Sequence, residues 1–204
     1  MLCRQISSIS FKKTLVAKTN ILKNNQPCSV SIYELKKRED KDYFEKLLDD
    51  KKWKNSRFLV FMKKHFEKSV RYKFTGGPNL KFYSLEDKKQ NCLGLVEVDN
   101  SRFDTQNILY IESFPLNKKN KEYKYIGETL LAFLTKQQQM KIKPKKLFIN
   151  FVVTGAEPFY LKSHFGFENT CKQMSLRKDN QKLLIESNKE HTQSEIELVR
   201  KKKC

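Results

Sequence analysis

No run of apolar residues in this sequence approaches the roughly 18 that a membrane-crossing helix needs, which argues against an integral membrane protein. The first twenty residues, MLCRQISSISFKKTLVAKTN, are basic but lack a continuous apolar segment and a small-residue cleavage site. No secretion signal is read there, and a cytoplasmic location is expected. Cysteines are few, at 3, 28, 92, 171 and 204, with no C-x-x-C pair and an odd count, which argues against a disulfide framework. The three histidines, at 65, 164 and 191, are too scattered for a zinc site, so no metal is expected. His65 falls in RFLVFMKKHFEK on the face that carries Phe58, Phe61, Met62 and Phe66, and reads as a packed core histidine. Acidic residues are scarce as well, with 23 Asp and Glu against 42 Lys and Arg.

What is present is enough to build a core. Fifteen Phe, eight Tyr and 38% hydrophobic residues exclude disorder throughout, and 204 residues suit one domain with tails. The pattern places a compact domain at residues 28–180, after a leader of uncertain structure at 1–27 that closes at Pro27. Residues 181–204 form a charged tail or extra element ending in RKKKC. The net charge of +19 comes mostly from Lys spread along the chain, which reads as a solvated surface. It is equally compatible with an anionic partner, either nucleic acid or a phosphate-bearing cofactor.

The order of elements follows from periodicity. CSVSIYELKK alternates as a strand, and DKDYFEKLLDDKKW and NSRFLVFMKKHFEKS carry apolar residues at helical spacing. FTGGPN is a turn, and LKFYSLED, NCLGLVEVDN and NILYIESF are three strands, of which the first two suit a hairpin. Ile126–Met140 is a helix, KLFINFVV a strand apolar enough to be buried on both faces, GAEPFYLKSHFGF a short helix ending at Gly166, and FENTCKQMSLRK a final strand. The resulting order is β-α-α-β-β-β-α-β-α-β. It predicts an α+β fold with a mixed, mostly antiparallel sheet flanked by helices, in which a strand–helix–strand unit forms a parallel pair.

That order, with YIGETLLAFL opening the central helix and FYLKSHFGF on the late helix, resembles the GNAT family of N-acetyltransferases from about Ser29 to Lys178. The resemblance implies acetyl-CoA as co-substrate, with its pyrophosphate held at Q/R-x-x-G-x-G/A where the central helix begins. A helix N-terminus has unpaired N–H groups and a partial positive charge, so it suits phosphate whatever the family. Here Gly127 keeps one glycine of that pattern. Tyr125 stands at the first glycine and Glu122 where Gln or Arg is expected, while Lys119, Lys121 and Lys124 offer compensating charge. A glycine that merely opens an ordinary helix is the competing reading.

The cofactor-binding residues implied are Ser113, Phe114, Lys124, Tyr125, Ile126, Gly127, Glu128 and Thr129. Tyr160 matches the family tyrosine that protonates the departing thiolate, although six positions separate it from Gly166 where the family has four. A phenol stays protonated at neutral pH and can donate. Glu112 matches a glutamate that often serves as general base, Glu97 is the second choice, and His164 a third. Neither Cys92 nor Cys171 carries a mark of an activated nucleophile. The function expected is an acyl-CoA-dependent N-acyltransferase that acetylates a primary amine by direct attack. The acceptor is a small molecule or an amine on protein or tRNA, the protein a monomer or homodimer, and no membrane is involved. The alternative is a nucleic-acid-associated protein, which either acetylates an aminoacyl-tRNA or only binds RNA or DNA.

Overall fold

Asn24 and Asn25, both at positive φ (49° and 64°), turn the chain back on itself. Two consecutive left-handed residues are what the mirror-image two-residue hairpin loops require. The hairpin joins β1 (Thr14–Lys23) to β2 (Gln26–Leu35), paired from Lys23 opposite Gln26 out to Thr14 opposite Glu34. Part of the segment read as a leader is therefore a ten-residue strand. The computed structural model describes residues 13–36, 40–53, 56–71, 79–113, 122–149, 160–161, 166–170 and 173–199.

Beyond β2 come α1 (Lys41–Asp49) and α2 (Arg57–Arg71), then an antiparallel run of β3 (Leu80–Asp87), β4 (Cys92–Asp99) and β5 (Thr105–Ser113). A two-residue strand, β6 (Tyr123–Lys124), pairs with β1 just before α3 (Ile126–Gln139). The chain then re-enters the sheet as β7 (Lys146–Ile149), parallel to β5. β8 (Phe167–Thr170) and β9 (Gln173–Leu176) pair with each other, and β9 lies against β7. After α4 (Gln181–Thr192), β10 (Glu197–Leu198) pairs with the outer side of β1. The strand order is β10-β1-β2-β3-β4-β5-β7-β9-β8. The sheet is thus mixed and mostly antiparallel with helices on both faces, and β5–α3–β7 is the parallel unit expected.

One stretch differs from the sequence reading, and a second is left open by it. FENTCKQMSLRK forms two strands rather than one; Thr170 pairs with Gln173, and no Gly or Pro marks the reversal. Residues 181–192 form a helix whose buried face is largely polar: Gln181, Ser187, Asn188 and Thr192, with Leu184. Its amides and hydroxyls are matched, as where Asn188 Nδ2 donates to Thr129 Oγ1 at 3.0 Å. Residues 150–153 of the KLFINFVV run, most of the late helix, and the turn from 74 to 78 lie outside the described residues.

The core divides at the sheet. On one side α1 and α2 cover Leu35, Phe82 and Leu95. On the other, α3 and α4 cover Ile32, Leu85, Val96, Val98 and Ile108. Leu130, Leu131, Ala132, Phe133 and Leu134 of α3 have no exposure at all, because α4 covers what the sheet does not. Each such Leu or Phe contributes roughly 1.5–3 kcal/mol of burial.

The seat of α3 depends on Gly94. A Cβ built there would lie 2.6 Å from Ile126 Cγ2, 3.0 Å from Leu130 Cδ1 and 3.3 Å from the Glu112 carbonyl. Only glycine lets the first turn of α3 rest against β4 at this distance. Gly94→Ala is expected to displace that turn and to cost about 1–3 kcal/mol, measured by urea unfolding. Wild-type stability in this variant would mean that the turn has room to move.

Candidate functional site

α3 begins where β5 delivers the chain, at one end of the parallel pair, and its entry is a left-handed residue. Tyr125 has φ 68° and ψ 16°, and its carbonyl accepts the amide of Thr129 at 2.8 Å. Non-glycine residues adopt this conformation at a cost of roughly 1 kcal/mol or more. Tyr125 is the position aligned with the first glycine of the phosphate-binding pattern. The backbone conformation that glycine favours is therefore present without the glycine, while Gly127 itself lies inside the helix. Side-chain capping is absent at Tyr125, and the amides of Ile126, Gly127 and Glu128 have no carbonyl four residues back within the helix.

Several contacts hold this turn in place. The Tyr125 ring stacks on His191 of α4, with centroids 4.8 Å apart and planes 8° from parallel. His191 Nδ1 lies 2.8 Å from Glu128 Oε1, and the Ser187 hydroxyl donates to the same oxygen at 3.4 Å. On the opposite flank Lys124 Nζ donates to Asn25 Oδ1 at 2.7 Å, and the Asn24 amide donates to the Glu122 carbonyl at 2.8 Å. Glu122 pairs with Lys23 at 3.0 Å on the surface, which offsets its charge near the turn. The turn is thus gripped by the β1–β2 hairpin tip on one side and α4 on the other.

The residues singled out for cofactor binding divide accordingly. Ser113 ends β5 opposite Gly94, beside the first turn of α3. Lys124 is exposed, Tyr125 half-buried and Ile126 buried against β4. The Glu128 side chain is 3% exposed and committed to His191, with its charge complementing the positive end of the helix dipole. Thr129 is fully buried; its amide is taken by Tyr125 and its hydroxyl by Asn188. Phe114, Lys119, Lys121 and His164 lie outside the described residues.

The acid and base candidates sit on different faces. Glu112 and Glu97 rise from β5 and β4 toward α2. In the ladder Glu112 opposes Leu95 and Glu97 opposes Tyr110, so the carboxylates are diagonal neighbours. Glu112 is 8% exposed and accepts a hydrogen bond from the Ser56 hydroxyl, which also caps α2 by accepting the Leu59 amide at 2.9 Å. Burial raises its carboxyl above the usual range, and the Ser56 bond opposes that shift. Tyr160 packs with the α3-side core, its ring edge-on to Phe167 at 5.9 Å, and burial pushes its phenol up to about 12.

Some participants were not legible from pattern. His65 is not sealed in the core: its side chain is 33% exposed, and Nδ1 lies 2.8 Å from Oε1 of the fully buried Glu97. The apolar stripe of α2 meets the sheet at a carboxylate there, so a residue on that stripe gains a polar partner. Gly94, Ser56 and His191 likewise act through contacts distant in sequence, which no local pattern records.

No family model matches the chain, and no curated protein matches it. Solved structures do. One is a single-residue variant of spermidine N-acetyltransferase SpeG from Vibrio cholerae, with 14% identity, TM-score 0.51, and coverage of 74% of this chain and 95% of that one. Another is the spermidine/spermine N-acetyltransferase SpeG of the same bacterium in complex with manganese ions, at 16% identity and TM-score 0.51 over 74% and 93%. A third is a protein of Desulfovibrio desulfuricans described as an acetyltransferase of the GNAT family, at 11% identity and TM-score 0.50 over 72% and 95%. At these identities the likeness is one of fold, and the chain has the fold of GNAT acetyltransferases.

Proposed function

We propose that this chain is an acyl-CoA-dependent N-acyltransferase that transfers acetyl from acetyl-CoA to a primary amine by direct attack. The observation that carries the reading is the left-handed entry at Tyr125. It opens the amides of Ile126, Gly127 and Glu128 at the end of a helix seated on β4, the neighbour of the strand that bears Glu112. The fold likeness to N-acetyltransferases that act on amines supports it.

In this reading the three amides take the pyrophosphate, with Lys124 adding charge at the rim and Ser113 and Tyr125 flanking the arm of the cofactor. Thr129 contributes by keeping the turn closed through its amide. The thioester lies along β5. The Glu112 carboxylate sets negative charge on the α2 face of that strand and draws the ammonium of the acceptor toward it. Tyr160, held protonated by burial, supplies the proton to the departing thiolate.

Titration calorimetry with acetyl-CoA tests the cofactor site. Micromolar binding is expected in the wild type and a loss of it in Gly127→Glu, where a second carboxylate would face the phosphates. Failure of the wild type to bind removes the reading. Tyr160→Phe is expected to lower turnover by about tenfold or more while leaving acetyl-CoA affinity unchanged. Unchanged turnover would exclude Tyr160 as the acid.

One observation favours a second reading, a nucleic-acid-associated protein that acylates an aminoacyl-tRNA or only binds RNA or DNA. Phe103 is 82% exposed with Lys143 Nζ 5.9 Å from its ring centroid. Beside it Lys141 is held below the usual lysine range by burial, Lys81 and Lys145. An exposed ring in a lysine cluster suits a stacked base. Retention on RNA that falls steeply as salt rises and is weakened by Phe103→Ala would favour this reading, and absence of retention would exclude it.

A further inference from the structure

The face of the sheet beneath α2 carries a group of side chains that the cofactor contacts do not use. Phe58, Phe61 and His65 lie three and four residues apart on α2, so they share one face of that helix. They meet Tyr110 of β5: Phe58 at 5.4 Å, Phe61 stacked at 6.2 Å with planes 8° apart, and His65 at 5.8 Å. Phe61 is 48% exposed, so this aromatic wall is open to solvent. At its foot lies Glu97, the register partner of Tyr110, with no exposure. One of its oxygens meets His65 Nδ1; the other, Oε2, is buried and has no hydrogen-bond partner.

This pairing gives the imidazole an orientation. A carboxylate that accepts the Nδ1 proton leaves Nε2 as the free, basic nitrogen on the outward side of the ring. His65 is the partly exposed member of the pair and Glu97 the buried one, so traffic of a proton between solvent side and carboxylate passes through the ring. Glu112 lacks such an outlet. Its hydrogen bond ties it to Ser56 at the start of α2, where it supplies charge.

We propose that His65, positioned by Glu97, takes the proton of the acceptor's ammonium, and that the Phe58–Phe61–Tyr110 wall beside it seats the rest of the acceptor, a primary amine on an apolar chain or ring. The proposal rests on the acyltransferase reading above. The ammonium gives one proton to Nε2, which turns the neutral imidazole beside its carboxylate into an imidazolium–carboxylate pair. The freed amine attacks the thioester carbonyl of acetyl-CoA, a C–N bond forms and the C–S bond breaks. The remaining excess proton of the new amide nitrogen ends on the departing thiolate, and the imidazolium later returns its proton to water. Lys68 of α2, which acts on His65, disfavours a second positive charge on the acceptor.

The groups acting on the pair set its pH response. Burial, then Asp99 on β4, push Glu97 up to about 8. Burial, then Lys68, pull His65 below its ordinary value, and burial, then Glu97, raise Tyr110. Glu97 thus keeps its proton up to about pH 8, and only the deprotonated pair accepts one from the amine. Turnover is expected to rise with pH with a midpoint near 8 and to level off above it.

The tests separate this inference from the reading beneath it. With acetyl-CoA and hexylamine, His65→Gln is expected to lower kcat about 100-fold or more and to abolish the rise toward pH 8, with acetyl-CoA affinity by calorimetry unchanged. Glu97→Gln is expected to move the midpoint of that rise rather than erase activity. Binding of N,N-dimethylhexylamine, which cannot form a stable amide, is followed by NMR without cofactor and is expected to weaken about tenfold in Phe61→Ala, an exposed site that leaves the core intact. Undiminished kcat in His65→Gln, a preference for spermidine over hexylamine, or amine binding indifferent to Phe61→Ala overturns the inference even if acetyl-CoA binds. Loss of acetyl-CoA binding in the wild type sinks the acyltransferase reading instead.

Discussion

The arrangement depends on how closely the first turn of α3 approaches β4. Gly94 removes the side chain that would hold them apart, and Ile126 fills the space. With that contact in place the helix axis is fixed against the sheet, and the amides of the turn must open toward the end of β5. Tyr125 adopts a left-handed conformation to bring the chain in at that angle, at a local cost that stacking on His191 offsets. A strained residue persists only where its surroundings over-determine it, and here the surroundings are a hairpin tip, a sheet and a C-terminal helix.

The two faces of the sheet take different roles. The α3 face is apolar and closely packed, which suits the task of holding one helix end steady. The α2 face mixes aromatic rings with two buried carboxylates, Glu97 and Glu112. β5 serves both faces because it carries one extra residue: Glu97 pairs with Tyr110 but Val98 with Ile108, so Leu109 bulges. The bulge restores Tyr110 and Glu112 to the α2 face and Ile111 to the α3 face without breaking the ladder.

Most of the sheet and α1, α2 and α3 were legible because their apolar residues recur at period 2 or at helical spacing. β1 was not, since TLVAKTNILK alternates weakly and its turn is Asn-Asn rather than Asn-Gly. α4 escaped for a different reason: its buried face is made of Gln181, Ser187, Asn188 and Thr192, and hydrophobic periodicity cannot register a helix packed through hydrogen bonds. At the candidate site, sequence singled out Gly127 as the special residue of the turn, whereas the left-handed backbone belongs to Tyr125. His65 read as core because its neighbours on α2 are apolar; the carboxylate that meets it is contributed by a strand about thirty residues away, beyond any local window.

The pairing of β10 with β1 joins the two ends of the described chain in one sheet, Ala17 beside Leu198. α4, which carries the His191 lid of the turn, immediately precedes that last strand. During synthesis the central strands and α3 emerge well before His191, so the turn must wait with its left-handed tyrosine unstacked. Topology of this kind slows folding, because a long loop has to close before its contacts reward it. A nascent chain stalled before residue 181 would hold a nearly whole sheet with an unfinished turn.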